Sequence, residues 1–577
     1  MKIAIVKALL LVLVCVIGVT PACSYAQQAV SGDAAVELEQ QRIQAIQKAS
    51  PSVVCVFAGE GLGGGSGVLI SPEGYALTNY HVVSESGPVL KAGLDDGNDY
   101  DAILVGVDPT GDLAVIQLLG REEFPFSQMV DSDQVRVGDP VFAMGNPFLL
   151  ASDFSPTSTF GIVAGTNRYQ DPAGTILEYT DCIQTDASIN PGNSGGPLFD
   201  INGDLIGING RGSFEKRGRV HVGSGYAISI NQAKRFLSAL KSGLIVDHAT
   251  LGATVVADDN AGVMIESILT ASDAYRRGLR VGDQLLQFAG RPLRSVNQLK
   301  NLLGTYPAGW RIPIVYRRGE QRLTAAVQLQ SLHAPIELQK LVEGGLDGKP
   351  REANPHAKPI IIPDQYKHLV EEKTGFSNYA YNRQAQKQAL LWQAQWNWGT
   401  KTDAWQFRGV RADEKQTRLI VAPFAVLFNT GEESLVMELD STRPNGLSAA
   451  QQALLKGMSL WQQFSQLGRS VFDEMHHWGT RPLDGKGSEV DVLVSLSEGM
   501  ETTWYYEQAT HQLRGFDLNY DPEFDPVVVR LGNWNSTEAG VPAPESMLIR
   551  IDEETLFRFT LNSFEISPAP QRPEQES

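Results

Sequence analysis

Three residues of this chain have the types and the order needed to break an acyl bond. Ser194 sits in "TDASINPGNSGGPLF", where Pro191, Gly192, Gly195, Gly196 and Pro197 crowd the hydroxyl. Glycine is used where backbone turns sharply or closely approaches another group, and proline fixes φ, so both set where backbone amides point. A Gly-x-Ser-Gly-Gly turn holds a hydroxyl at its tip and aims amide hydrogens at a point beside it, as nucleophilic acyl transfer requires. Such a nucleophile needs a base, and the base needs an orienting carboxylate. His81 ends the apolar run in "LTNYHVV", and Asp112 opens the one in "GDLAVIQL". Taken singly, the first reads as a glycine-rich hairpin, the histidine as a surface residue and the aspartate as a turn residue. Together they run His, Asp, Ser, 31 and 82 residues apart, an order in which such triads occur.

The elements that must hold these residues are short. From Pro51 to about residue 230, apolar runs such as "SVVCVFA", "GSGVLIS", "DAILVGVD", "PVFAMG" and "DLIGING" are cut by Gly, Pro, Asn and Asp. That spacing predicts an all-β sandwich or barrel from Pro51 to about residue 230, within a domain of residues 34–245 that "NQAKRFLSALKSGL" closes as a helix. Ahead of it, Val36, Ile43 and Ile46 in a polar background predict an amphipathic helix ended by Pro51. Residues 249–330 mix strands ("GVMIESI", "RIPIVYRR") with a helix ("SVNQLKNLLGTY") and read as an α+β unit. Residues 331–364 are rich in Pro, Gly and charge and read as a linker. A third α+β unit runs over 365–566, from the Trp-rich "QALLWQAQWNWG" through the helix "SAAQQALLKGMSLWQQFSQLG" to a late strand series, and residues 567–577 read as a disordered tail.

At 577 residues the chain is too long for one core, which agrees with three or four units at roughly 150 residues each. Residues 1–26 pair Lys2 and Lys7 with the run "ALLLVLVCVIGV" and end in "SYA", the pattern of an export signal, with an uncleaved anchor or lipidation at Cys23 as alternatives. Without that segment Cys55 and Cys182 remain, paired or not, in an exported compartment. The formal charge of −18 falls to −20 when Lys2 and Lys7 are removed, which argues against broad nucleic-acid or anionic-membrane binding and favours peptides or proteins as partners.

At the level of motifs, "GSGVLIS", "GYALTNYHVV", "DLAVIQL", "GNPF", "QTDASINPGNSGGPLFD" and "GYAIS" resemble the HtrA (Deg) family of chymotrypsin-like serine proteases over residues 50–240. The resemblance implies two six-stranded β-barrels with the active site between them and no cofactor. Ser194 would attack the scissile carbonyl, His81 relay the proton, Asp112 hold the imidazolium, and the amides of Gly192, Asn193 and Ser194 form the oxyanion hole. It also implies a periplasmic or envelope location, unfolded proteins or peptides as substrates, and a homotrimer. In the chymotrypsin-like fold the residue six before the nucleophile floors the S1 pocket; Ser188 there, with Ile189, Gly225, Tyr226 and Ala227 as lining, predicts small or medium aliphatic P1 residues. The alternative is a non-catalytic peptide-binding scaffold or adaptor that keeps a protease fold.

Residues 249–330 resemble the PDZ domain that follows the protease in this family. Leu251, Gly252 and Ala253 would be the carboxylate-binding loop and "GVMIESI" the strand that receives a C-terminal peptide. The chain departs from the family pattern at Tyr80, at "DAYRRGL", and in "LLASDFSPTST" and "RGSFEKRGRVHV", where Arg211, Lys216, Arg217 and Arg219 offer a contact for an activating partner or a solvated charged loop. In the third unit "DEMHHWG" gathers Asp473, Glu474, His476 and His477, but adjacent strand histidines face opposite sides, so no metal site is assigned. Its Trp-rich helix and late strands are similar to the curved sheets of lipoprotein carriers, a similarity that assigns no function.

Overall fold

Strand alternation and glycine-permitted close approaches build the amino-terminal half into two antiparallel barrels. The computed structural model describes residues 32–569 apart from 58–63, 147–152, 171–175, 215–220, 258–261, 345–361, 441–445, 522–523, 538–539 and 552–553. The expected export signal 1–26 and the loop cations Lys216, Arg217 and Arg219 lie outside the described residues, as does the side chain of Arg211. Helix α1 (Gly32–Ala49) leads into the first barrel, formed by β1 (Val53–Phe57), β2 (Gly64–Leu69), β3 (Tyr75–Thr78), β4 (Val89–Gly93), β5 (Asp99–Asp108) and β6 (Leu113–Leu118). It closes in the order β1-β2-β3-β6-β5-β4. The second barrel, β7 (Pro140–Gly145), β8 (Thr157–Gln170), β9 (Tyr179–Thr185), β10 (Pro197–Asp200), β11 (Leu205–Phe214) and β12 (His221–Ser229), closes as β10-β11-β12-β9-β8-β7. Closure leaves neither sheet an open edge.

The one-turn helix α2 (Tyr80–Val83) follows β3, and α3 (Ile230–Lys241), capped by Ser229 accepting from the Gln232 N–H, crosses the first barrel. The crossing depends on Gly106, where a Cβ would stand 2.1 Å from the Leu240 carbonyl oxygen. The inward face of α1 differs from the expected one. Ala45 and Ala49 are buried, whereas Val36 and Ile43 are 55% and 40% exposed. Small residues win because the helix lies on backbone: a Cβ on Gly203 would come within 2.8 Å of the Ala45 carbonyl. Cys55 and Cys182 are both buried and unpaired, and burial pushes the Cys55 thiol up to about 11.

The second unit is a sheet ordered by residue as 253–257, 263–268, 284–288, 311–318 and 321–328, flanked by α4 (Asp273–Arg276) and α5 (Val296–Leu303). Val263–Ile268, the expected peptide-receiving strand, lies inside the sheet, paired along its length with Ala253–Ala257 and at Val263 and Met264 with Gln284–Phe288; the outer strands are Ala253–Ala257 and Gln321–Gln328. The expected linker opens with a helix, and its residues 345–361 lie outside the described residues. After it leaves the sheet the chain forms α6 (Pro335–Gly344) and later a 3₁₀ turn at Asp364–Leu369 and α7 (Tyr379–Ala389). Leu338, Phe376, Tyr379 and Tyr381 from this strap join the core of the first barrel and α3. Phe376, Tyr379 and Tyr381 therefore pack with the protease-like half, whereas Ala389 at the end of α7 is already in the core of the third unit. The Tyr381 hydroxyl bonds Gln117 at 2.7 Å, and the Asn378 amide donates to the Leu104 carbonyl at 3.2 Å.

The third unit is an eleven-stranded antiparallel sheet around α8 (Ala449–Leu467), whose N-terminus carries a Ser448–Gln451 capping box. Its last strand runs Glu554–Pro568, two residues into the expected tail. The concave side is filled by Trp392, Trp398, Trp405, Trp461, Trp504, Phe464, Phe516 and other apolar side chains. Two of the buried indoles find a partner: Trp405 donates to the Trp398 carbonyl, Trp504 to Ser495 Oγ.

Candidate active site

The cleft between the barrels brings the three sequence candidates together. Asp112, fully buried, sits in the turn between β5 and β6 at φ +57°, a left-handed conformation that surrounding contacts must hold. Asn79 does part of this, its amide donating to the Asp112 carbonyl at 2.8 Å. The Asp112 carboxylate accepts the His81 backbone N–H on Oδ1 at 2.9 Å and meets His81 Nδ1 through Oδ2 at 2.7 Å. The imidazole is thereby fixed with Nε2 turned away from Asp112. Burial alone would lower the proton affinity of His81, but the Asp112 charge and hydrogen bond outweigh it and raise the pKa above its ordinary value of 6.5.

The nucleophile loop belongs to the second barrel and is bolted to the first by a residue that sequence reasoning missed. Ser66, in the middle of "GGSG" on β2, donates through Oγ to the Gly192 carbonyl at 2.6 Å and accepts the Asn146 N–H at 2.9 Å, while its own N–H donates to the Ser194 carbonyl at 2.8 Å. The glycines around it were the available signal: a Cβ on Gly65 would lie 2.8 Å from the Ser194 carbonyl, and one on Gly195 (φ +83°) 2.2 Å from the Ser66 carbonyl. Ser194 Oγ donates to the Gly210 carbonyl at 3.3 Å. Among the described residues no hydrogen bond joins it to His81, so a rotation about its χ1 is needed to make one. Catalytic hydrogen bonds in unliganded sites are often unmade in this way.

The three amides expected at the oxyanion hole divide. The Asn193 N–H is spent on the Asn190 carbonyl at 2.9 Å and its side chain is buried, so Asn193 drops out. Among the described residues the N–H groups of Gly192 (φ +102°) and Ser194 donate to no protein acceptor, which leaves a pair of donors beside Ser194 Oγ. The expected pocket lining also changes. Ile189 and Ala227 are 1% and 0% exposed within the second-barrel cluster formed with Val141, Val163 and Leu198, and Gly225 is buried too. Ser188 and Tyr226 keep partial exposure; the Ser188 carbonyl is held by Thr159 Oγ1 at 2.8 Å, and no carboxylate stands at Ser188.

In the second unit Leu251 is buried in the core, the Gly252 N–H is spent on Thr250 Oγ1 at 3.2 Å, and Ala253 opens the edge strand, so the three do not form a loop of free amides. His476 and His477 do face opposite ways: His477 meets Ser242 Oγ at 2.6 Å and Asp491, whereas His476 meets Tyr379 and Glu474. Two of the departures from the family pattern touch added segments. The Tyr80 hydroxyl donates to the Val342 carbonyl of α6 at 3.4 Å, and Arg277 Nη1 pairs with Asp525 of the third unit at 2.8 Å.

Residues 65–208 match the model of the trypsin-like peptidase domain. A probable periplasmic serine endoprotease, DegP-like, of Chlamydia trachomatis serovar D is 36% identical over 273 residues, which is 44% of this chain and 52% of that protein. The periplasmic serine endoprotease DegP of Escherichia coli K12 is 36% identical over 279 residues, 46% of this chain and 56% of that one. A solved structure, "HtrA-type protease AlgW with tripeptide", is 33% identical, covers 51% of this chain and 98% of its own, and superposes with a TM-score of 0.43. The chain spans about half the length of the curated relatives it matches.

Proposed function

From the premise that this chain belongs, through its amino-terminal half, to the HtrA family of trypsin-like serine proteases, we propose that it is an exported serine endopeptidase acting on unfolded envelope proteins in the periplasm. The observation that carries this reading is the His81–Asp112 pair, 2.7 Å apart and sealed on the carboxylate side, facing Ser194 on a loop tied to the same barrel by Ser66. Ser194 Oγ attacks the scissile carbonyl as His81 Nε2 takes its proton; the Asp112 carboxylate stabilises the imidazolium; the Gly192 and Ser194 N–H groups hold the oxyanion. His81 then protonates the leaving amine, and water admitted to the same base hydrolyses the acyl-enzyme.

Ser188 at the floor of S1 supplies no counter-ion. A buried P1 lysine or arginine would be left unpaired, at a cost of several kcal/mol, so cleavage follows Val, Ala, Ile or Leu. The second unit acts as a PDZ domain that adds a C-terminal peptide to the outer edge of the strand Ala253–Ala257. Exposed Ile43, Phe160 and Ile162, with Arg42 over the Phe160 ring, support a homotrimer built on this face, for which light scattering must return three times the chain mass. The hydrolase reading is tested with casein: the wild type digests it and purified Ser194→Ala does not, whereas a scaffold would leave it intact in both.

A further inference from the structure

Tyr179 opens β9, 3% exposed, and its hydroxyl donates to Oδ2 of Asp112, the oxygen that also faces His81 Nδ1. The same ring lies against Gly210, where a Cβ would come within 2.4 Å of Tyr179 Cε1, and the Gly210 carbonyl is the acceptor of the Ser194 hydroxyl. One side chain therefore touches the carboxylate end of the triad and the strand that receives the nucleophile. We propose that Tyr179 is a positioning residue of the hydrolytic site, holding the Asp112 carboxylate in the plane that orients His81.

The physical argument is one of donors. Asp112 is fully buried and has no arginine or lysine beside it among the described residues; its charge is carried by the His81 N–H on Oδ1, and by His81 Nδ1 and the Tyr179 hydroxyl on Oδ2. The other titratable groups of this corner are engaged elsewhere: Asp108 with the buried His248 at 2.9 Å, Glu178 with the Tyr169 hydroxyl. Removing the tyrosine hydroxyl leaves Oδ2 with the imidazole alone. The carboxylate then gains rotational freedom and carries more negative charge toward the ring. The first effect slows the chemical step; the second favours imidazolium in the free enzyme, which moves the acidic limb of kcat/KM to higher pH.

This inference rests on the hydrolase reading, and the experiment separates the two. Casein hydrolysis is measured from pH 5 to 9 for the full chain and for Tyr179→Phe, Gly210→Ala and Tyr169→Phe, with a thermal melt of each. Tyr179→Phe is expected to lose on the order of tenfold in kcat with KM unchanged within about twofold, and to shift the acidic limb upward. Gly210→Ala, which displaces the ring without altering its chemistry, must shift the limb in the same direction and decides the matter if Tyr179→Phe does not fold. Tyr169→Phe must keep the wild-type limb. An acidic limb that stays in place in both Tyr179→Phe and Gly210→Ala, whatever their melting temperatures, overturns the inference, because a purely structural tyrosine lowers stability without moving that limb. An inactive wild type overturns the hydrolase reading and this inference with it.

Discussion

The protease half and the third unit are both β-rich, yet they bury opposite things. The barrels keep Asp108, Asp112, Asp181, Asn193 and Asn209 almost entirely out of water, and two of these, Asp112 and Asn193, belong to the candidate site. The third unit spends its interior on Trp405, Trp461 and Trp504, the indole N–H of Trp405 closed off by the Trp398 carbonyl and that of Trp504 by the Ser495 hydroxyl. Buried charge without compensation is costly, so a fold that retains it at a cleft marks where chemistry is done. A core of fitted aromatic rings marks where shape and docking are made. The strap from α6 to α7 belongs to the first regime by position and to the second by composition, and it joins the two halves through Asn382, whose amide donates to both the Ser242 and the His477 carbonyls.

That contrast is breakable. Asp112→Asn should lower kcat on casein by about 10⁴-fold with little change in the melt, because an amide at that point stabilises the wrong imidazole tautomer. A loss under tenfold would mean that the buried charge is structural. Trp461→Ala and Phe376→Ala each remove a buried aromatic, at ~3–5 kcal/mol. Phe376→Ala should bring down the melting of the protease half, and peptide hydrolysis with it, since Phe376 sits in the barrel core; Trp461→Ala should loosen the third unit and spare peptide hydrolysis at 25 °C. The reverse pattern would show that the strap has been assigned to the wrong half.

A smaller effect tests the contact between the second and third units. Arg277→Ala leaves the largely buried Asp525, among the described residues, with Arg276 alone at 3.3 Å and should cost about 3 kcal/mol in the docking of the two units, seen as faster proteolytic nicking between them. The smallest concerns pH. Because His81 binds its proton more tightly than a free histidine and acts as a base only when neutral, the acidic limb of kcat/KM should lie above 6.5. The stability that the protonated pair contributes is present below that value and fades as pH rises through the raised one. A limb below 6.5 contradicts the geometry.

What could be read in advance follows from how local each signal is. Ser194, His81 and Asp112 lie in short motifs whose glycines and strand boundaries are visible within ten residues. Tyr179 stands fifteen residues before the nucleophile with no glycine or turn of its own, and its partner Asp112 is 67 positions away. The strap escaped for the same reason: Leu338, Phe376, Tyr379 and Tyr381 are scattered among polar residues, and Tyr381 and Asn378 meet Gln117 and Leu104 of the first barrel 264 and 274 positions away. Ile189 was within reach, since neighbouring residues of an extended segment point to opposite faces and Ser188 already occupied the cleft side. The Arg276–Arg277 departure is visible in the sequence of one unit, but its ion-pair partner Asp525 lies in another, 248 positions beyond Arg277.

The central claim, that Ser194 is a nucleophile activated by His81 and Asp112, is tested most directly by labelling the folded protein with a fluorophosphonate and mapping the adduct by mass spectrometry. The adduct must fall on Ser194, vanish in Ser194→Ala and form at least a hundredfold more slowly in His81→Ala. An unmodified Ser194, or a labelling rate unchanged by the loss of His81, would contradict the account.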